Sequence, residues 1–275
     1  MGDMEQQSEQ SMDQSPSPTY VENRSSAEKI PDSVRPVIDQ SKQLYHEVFG
    51  DHLVSLYLEG SAGRGDYVPG LSDVDLVGIV DRLRTEADLE ALSQGRQQII
   101  DATDLHKLDL GTSELSLLEQ KPRAQFILAV DGVLLDGQRY HPTAQFPPIG
   151  PELARFLDAP IPKRIKAAHE RLAKVQAGEK LDLAFWSRWI AKQTMRLGLG
   201  VAMTRRAVYT ANMAEMPNVV KEVVPEISDD IDRLNRAYLE PTGSVTDYEE
   251  LLSVIDRIES MAEAAGVIEP EPEHA

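Results

Sequence analysis

No cysteine occurs anywhere in the 275 residues. Its absence excludes disulfides, zinc–thiolate sites and thiol nucleophiles, and it matches a reducing compartment. Long apolar runs are missing too: no stretch approaches the roughly 18 residues a membrane-spanning helix needs, and the N-terminus lacks a basic-then-apolar leader pattern. A cytoplasmic protein without membrane partners is the expectation. Aromatic residues are sparse at 5%, and basic residues are outnumbered, 28 Lys or Arg against 46 Asp or Glu, for a net charge of −18. Such a surface does not hold long nucleic acid, because that binding depends on neutralising phosphates. A small polyanion held locally, with metal ions, stays compatible with it. Hydrophobic residues at 41% and charged residues at 27% are ordinary for a globular chain of this length.

Residues 1–33 are rich in Ser, Gln, Glu and Pro and poor in branched apolar residues, which predicts a disordered tail; residues 269–275 read as a frayed end. From residue 34 the pattern changes. Val34, Val37, Ile38, Leu44, Tyr45, Val48 and Phe49 recur at helical spacing, and Gly50 offers a stop. Residues 53–59 read as a strand. Residues 60–71, with four glycines and a proline, read as a loop with one helical turn at most, and residues 74–80 as a second strand. Thr85 and Asp88 make a capping-box start for a helix. Further short strands are predicted at 105–110 and 132–135, with a helix from Pro122 to Val130 between them. Four prolines within 141–151 suggest a linker. Beyond it the segments 164–176, 183–203, 219–224, 231–239 and 248–265 all read as helical.

The chemistry concentrates between Gly60 and Val80. A strand ends in Gly60-Ser61, where a missing Cβ lets backbone N–H groups approach a phosphate and a hydroxyl adds a donor. After a loop, Asp73 and Asp75 flank Val74 at the start of the next strand. Strand alternation puts both carboxylates on one face, with Val74, Leu76 and Val80 on the other. Two such acids repel unless a proton or cation lies between them, and hard oxygen ligands select magnesium or manganese. Arg64 lies in the same loop, where it either contacts a triphosphate or is an ordinary surface arginine. The Arg64-Gly65-Asp66 tripeptide carries no separate meaning here, and the six scattered histidines show no ligand spacing.

The Gly-Ser, spacer, Asp-x-Asp arrangement on strand, loop and strand resembles the DNA polymerase beta-like nucleotidyltransferase superfamily, and within it the two-domain, aminoglycoside-adenylyltransferase-like members. The resemblance implies an α+β fold, a small mixed nucleotidyltransferase sheet with flanking helices followed by an all-helical C-terminal domain. It divides the chain into the tail 1–33, a nucleotidyltransferase domain at 34–145 and a helical closing domain at 150–266. It implies that Asp73 and Asp75 bind Mg2+ or Mn2+, and that Asp109 is a third ligand or the base for the acceptor hydroxyl, with Glu114 as a competitor. Gly60 and Ser61 would grip a nucleoside triphosphate, ATP being the expected co-substrate. The function implied is transfer of a nucleoside monophosphate to a small-molecule acceptor. Nucleotidylation of a protein or RNA partner, and a non-catalytic nucleotide-binding regulatory module, are the alternatives.

Residues 163–206 hold eleven Lys or Arg against three Asp or Glu, in an otherwise acidic chain. Arg188, Lys192 and Arg196 fall at i, i+4 and i+8, one stripe beside Phe185, Trp189 and Ile190. Such a stripe can close over an anion, with Lys192 and Arg196 as candidate nucleotide contacts. It can equally be the docking face of a basic helix. Trp186 and Trp189 read as packing.

Overall fold

The structure, a computed structural model, describes residues 17–103, 105 and 107–269. The expected tail up to residue 16, the end beyond Glu269, and His106 and His274 lie outside the described residues. The elements run α1 (Arg35–Phe49), β1 (Leu53–Glu59), α2 (Ser61–Arg64), β2 (Val74–Val80), α3 (Glu86–Asp101), β3 (Leu108–Glu114), α4 (Leu115–Leu118), α5 (Pro122–Asp131) and β4 (Val133–Gly137). The helices α6 (Pro151–Asp158), α7 (Ile161–Gln176), α8 (Leu183–Arg205), α9 (Met216–Val223), α10 (Ser228–Leu239) and α11 (Val245–Ala264) follow. The four strands lie in the order β3-β2-β1-β4, with β1 antiparallel to both neighbours and β2 parallel to β3. It is the small mixed sheet and helical remainder of the α+β expectation.

Local chemistry accounts for the element ends. Gly50 closes α1 with φ of 52°, a conformation that favours glycine. The Thr85 hydroxyl accepts from the Asp88 N–H while the Asp88 carboxylate accepts from the Thr85 N–H, so α3 opens with the predicted capping box. Asp182 and Ser244 cap α8 and α11 in the same way, each accepting from the backbone three residues on.

Alternation along β1 supplies two cores. Leu56 and Leu58 point with Val74, Leu76 and Leu108 toward α1 and α3, while Tyr57 joins Ile79, Leu118 and Leu128 on the opposite face. Tyr45 on α1 is fully buried and its hydroxyl donates to the Gly111 carbonyl at 2.6 Å, which ties the helix to β3. The helical half forms its own core around α8, where Ile190, Met195 and Val201 meet Ile231, Ile255 and Ile258. Phe126 on α5 enters that helical core and stacks edge-on with Phe146 and Phe156, so α5 joins the two halves. No helix among the described residues is long and apolar enough to cross a membrane.

Three expectations differ from the structure. Residues 17–33, read as tail, are tied down: the Ile149 N–H donates to Thr19 O at 2.7 Å, Asn23 Nδ2 to Gly132 O at 3.0 Å and the Ser26 N–H to Gly63 O at 2.9 Å, and Ile30 is buried. Backbone hydrogen bonds and two apolar anchors, Val21 and Ile30, do what composition alone did not suggest. The third strand occupies Leu108–Glu114 rather than 105–110, because the polar-looking Gly111, Thr112 and Ser113 pair in register with Val77, Gly78 and Ile79. Helix α6 was not anticipated beside its proline-rich approach.

Candidate active site

The sheet register assembles the acids. Glu59, Asp75 and Asp109 lie side by side on β1, β2 and β3, and Asp73 enters just ahead of β2. One oxygen from each of Asp73, Asp75 and Asp109 lies within 4.8 Å of the others. Burial, then Asp73 and Asp109, push the Asp75 carboxyl up to about 7. Asp73 goes the other way: burial would raise it, but Lys192, its own backbone and Lys107 hold it below the usual carboxylate range. The Lys107 ammonium bonds Asp109 and stands 3.5 Å from Asp73, occupying the edge of the cluster as a positive charge. Three hard oxygen donors that repel one another and draw in an ammonium suit a divalent cation.

Glu114 is placed elsewhere. It ends β3, five residues from Asp109 or roughly 17 Å along the strand. Its carboxylate accepts from Arg84 Nε at 2.7 Å. Asp109 is therefore the acid that the sheet brings to Asp73 and Asp75.

The glycine–serine turn sits directly against this cluster. Gly60 has φ of 82°, and a Cβ there would stand 3.3 Å from Asp75 Oδ2. A side chain at this position would be both strained and in the way. Ser61 begins α2, whose first bond runs from the Arg64 N–H to the Gly60 carbonyl at 3.2 Å. The turn is braced from α5. Asp131 accepts from the Gly60 N–H at 3.1 Å and from Arg64 Nη1 at 2.6 and 2.7 Å, and Arg64 Nε reaches Asp66 at 3.3 Å. Arg64 is thus held by two carboxylates and fixes the loop from within. The Gly60 N–H, expected to face a phosphate, is likewise engaged by Asp131.

Sequence reading missed Glu59, Asp131 and the part played by Lys107. Glu59 is pushed up to about 7 by burial, then by Asp75 and Asp131. Its signal was a charge ending a strand whose preceding residues are buried. Asp131 offered none, since a helix-terminal acid is unremarkable until the fold brings it to Gly60.

The basic stripe on α8 reaches the site. Lys192 lies between the carboxylates and Arg196: burial, then Arg196, lower its pKa, while Asp73 and Asp75 attract it. Lys192 and Arg188 line a cavity of about 330 Å³ together with Asp73, Lys107, Trp189 and Tyr238. Phe185 stands at its rim, 46% exposed. Trp186 packs instead, under the Arg171 guanidinium at 3.6 Å. A larger hollow of about 630 Å³ lies beyond the Gly60 turn, beside Arg64, Asp131 and Tyr209. It has none of the three clustered carboxylates on its walls, whereas the smaller cavity is lined by one of them, Asp73.

A pH dependence follows from the raised acids. Asp75 and Glu59 bind a proton more tightly folded than unfolded, so their stabilising contribution is complete below about pH 4 and lost as pH rises through about 7. In EDTA, the melting temperature should fall between pH 5.5 and 8, and divalent cations should restore it at pH 8 more than at pH 5.5. A melting profile that is flat in EDTA and indifferent to magnesium would contradict the crowded-acid arrangement.

No family model and no curated protein matches the sequence. Among solved structures, the chain is similar to the spectinomycin adenyltransferase AAD(9) from Enterococcus faecialis, crystallised with ATP and spectinomycin. The likeness has a TM-score of 0.50 at 16% identity and covers 82% of this chain and 98% of that one. Acids from β2, its approach and β3 meet beside a glycine–serine turn, and Lys192 of α8 borders a cavity with one of them, Asp73. With that likeness, the chain has the fold of the aminoglycoside-adenylyltransferase-like nucleotidyltransferases.

Proposed function

We propose that the protein transfers a nucleoside monophosphate, AMP from ATP, to a hydroxyl of a small-molecule acceptor and releases pyrophosphate. The observation that carries this reading is the convergence of Asp73, Asp75 and Asp109 on one point beside Gly60, on a fold shared with an adenyltransferase. The three carboxylates would hold Mg2+ or Mn2+, which when bound neutralises phosphate charge and favours the ionised acceptor hydroxyl. In the reaction the acceptor oxygen forms a bond to the α-phosphorus, and the bond from that phosphorus to the bridging oxygen breaks. The electron pair leaves with pyrophosphate. Asp109 would be the third ligand or the base that takes the hydroxyl proton. Ser61 offers a hydroxyl donor to the phosphates, and Lys192 a charge on the opposite wall. Arg64 serves by bracing the loop against Asp131.

Residues 34–145 would then act as the nucleotidyltransferase domain and 150–266 as the helical domain that closes the cleft. The acceptor site is the cavity of about 330 Å³ between them. Its aromatic wall of Trp189 and Tyr238, with Asp73 and Asp182 set among Lys107, Arg188 and Lys192, offers stacking and hydrogen bonds to a small polyhydroxylated molecule of the aminoglycoside kind. A cytoplasmic setting would provide both ATP and magnesium.

Incubation of the full chain with labelled ATP, magnesium and a panel of small polyols and aminoglycosides tests the proposal. Label should pass to a small molecule with release of pyrophosphate. Label passing only to protein or RNA would select the macromolecular alternative. No transfer to any acceptor, with no magnesium-dependent ATP binding by calorimetry, would overturn both.

A further inference from the structure

The parallel register that sets Asp109 beside Asp75 sets another pair side by side just ahead of it. Val74 lies against Leu108, and the Val74 N–H donates to the Lys107 carbonyl at 3.0 Å. Lys107 therefore approaches β3 alongside Asp73, as Asp109 lies alongside Asp75. Residues two apart in an extended segment share a face, so Lys107 turns the same way as Asp109, and Asp73 the same way as Asp75. The backbone thus builds a square with carboxylates at three corners and an ammonium at the fourth. The side chains follow it: the Lys107 ammonium bonds Asp109 Oδ2 and stands 3.5 Å from Asp73 Oδ2.

Sites for in-line displacement at phosphorus that use two metal ions hold them about 3.5–4 Å apart, one on the attacking oxygen and one on the leaving oxygens. The two sides can be told apart here. On one side the glycine–serine turn presses on the acids, with Gly60 against Asp75 Oδ2. On the other side Lys107 and Asp73 line the cavity of about 330 Å³ assigned above to the acceptor. An ion on the attacking oxygen would need the face between Asp109 and Asp73, and the Lys107 ammonium bridges that face. Arg96 of α3 lies 4.0 Å from Asp109 Oδ1, which adds positive charge to the same edge. What remains is oxygen from all three acids, within 4.8 Å of one another, for one shared cation.

We propose that Lys107 stands in for a second metal ion: the site takes a single divalent cation, and the Lys107 ammonium supplies the positive charge on the acceptor side. The assignment rests on the transferase reading above; it fixes the number of ions and gives Lys107 a part in the reaction. Lys107 donates a hydrogen bond to the acceptor oxygen as that oxygen bonds to the α-phosphorus. The acceptor proton passes to Asp109, the electron pair of the broken bond leaves with pyrophosphate, and Lys107 keeps its own three protons.

Manganese binding to the full chain, counted by electron paramagnetic resonance with the α,β-methylene analogue of ATP present, tests this on the parent, Lys107→Gln and Lys107→Arg. The analogue resists cleavage at the bridge, so the ions counted belong to the loaded site. The parent should hold one Mn2+ per chain, with no coupling between ions. Lys107→Gln should take up a second, showing the dipolar splitting of ions about 3.5–4 Å apart. Lys107→Arg keeps the charge and should stay at one. Two coupled ions in the parent, no ion in the parent, or a single ion in a folded Lys107→Gln chain would overturn the substitution; a merely structural ion pair gives equal counts in all three. The parent's count decides by itself should Lys107→Gln not fold. A parent that transfers no nucleotide, with the counts as expected, would uphold the single-cation site and remove the transferase reading alone.

Discussion

Asp75→Asn is expected to reduce pyrophosphate release by about 10²–10³-fold or more, the scale on which one preorganised electrostatic contact acts in catalysis. Asp75 is the centre of the cluster, flanked across the sheet by Glu59 and Asp109 and approached by Gly60. The amide keeps the shape of the side chain and removes its charge. The fold should survive, because the carboxylate lost is one that its neighbours repel and whose pKa burial, then Asp73 and Asp109, raise to about 7. In EDTA at pH 8 the variant should therefore melt at or above the parent temperature, and magnesium should stabilise it less. Parent-level pyrophosphate release by a well-folded Asp75→Asn protein would remove Asp75 from the mechanism.

The second large effect is expected from Lys192→Gln. Lys192 is the basic residue of α8 that interacts with Asp73 and Asp75, and it stands beside those carboxylates at the edge of the cavity of about 330 Å³. Removing it takes a charge away from a shielded anion site, where such truncations cost about 2–5 kcal/mol. The nucleotide KM should rise at least tenfold, with a smaller fall in kcat, because in the proposed reaction Lys192 would hold phosphate without being the base. Lys192→Arg should restore part of the affinity. A Lys192→Gln enzyme with an unaltered KM for the nucleotide would show that the helical half covers the site without gripping the substrate. The basic stripe would then be a docking face.

The parts legible in the sequence were those written locally. Strands β1 and β2 announced themselves as short apolar runs bounded by glycine and aspartate, and the Thr85 capping box is a four-residue pattern. Asp73 and Asp75 stood out because two charges opening a buried strand need a reason. Asp109 and Glu114 could not be separated, since one acid lay on the expected strand 105–110 and the other just beyond it. Only the parallel register, with Asp109 beside Asp75, decides between them.

What stayed hidden depends on contacts between distant segments. Asp131 reaches Gly60 and Arg64 across more than sixty residues, and nothing near it in sequence hints at that pairing. Residues 17–33 lacked the apolar content of an element, but hydrogen bonds to Gly63, Gly132 and Ile149, with Val21 and Ile30 as anchors, hold them. Composition predicts whether a segment can fold by itself, and this one does not need to.

The claim beneath all of this is that three carboxylates from two strands and their approach share a divalent cation beside the glycine–serine turn. Crystals of the full chain soaked in Mn2+, with data collected at the manganese absorption edge, test it most directly. The account predicts an anomalous peak bound by oxygens of Asp73, Asp75 and Asp109, at about 2.1–2.2 Å, the range for a hard cation of this kind. It also predicts that the peak disappears in Asp75→Asn. Manganese bound only elsewhere, or a peak that survives unchanged in that variant, would contradict it.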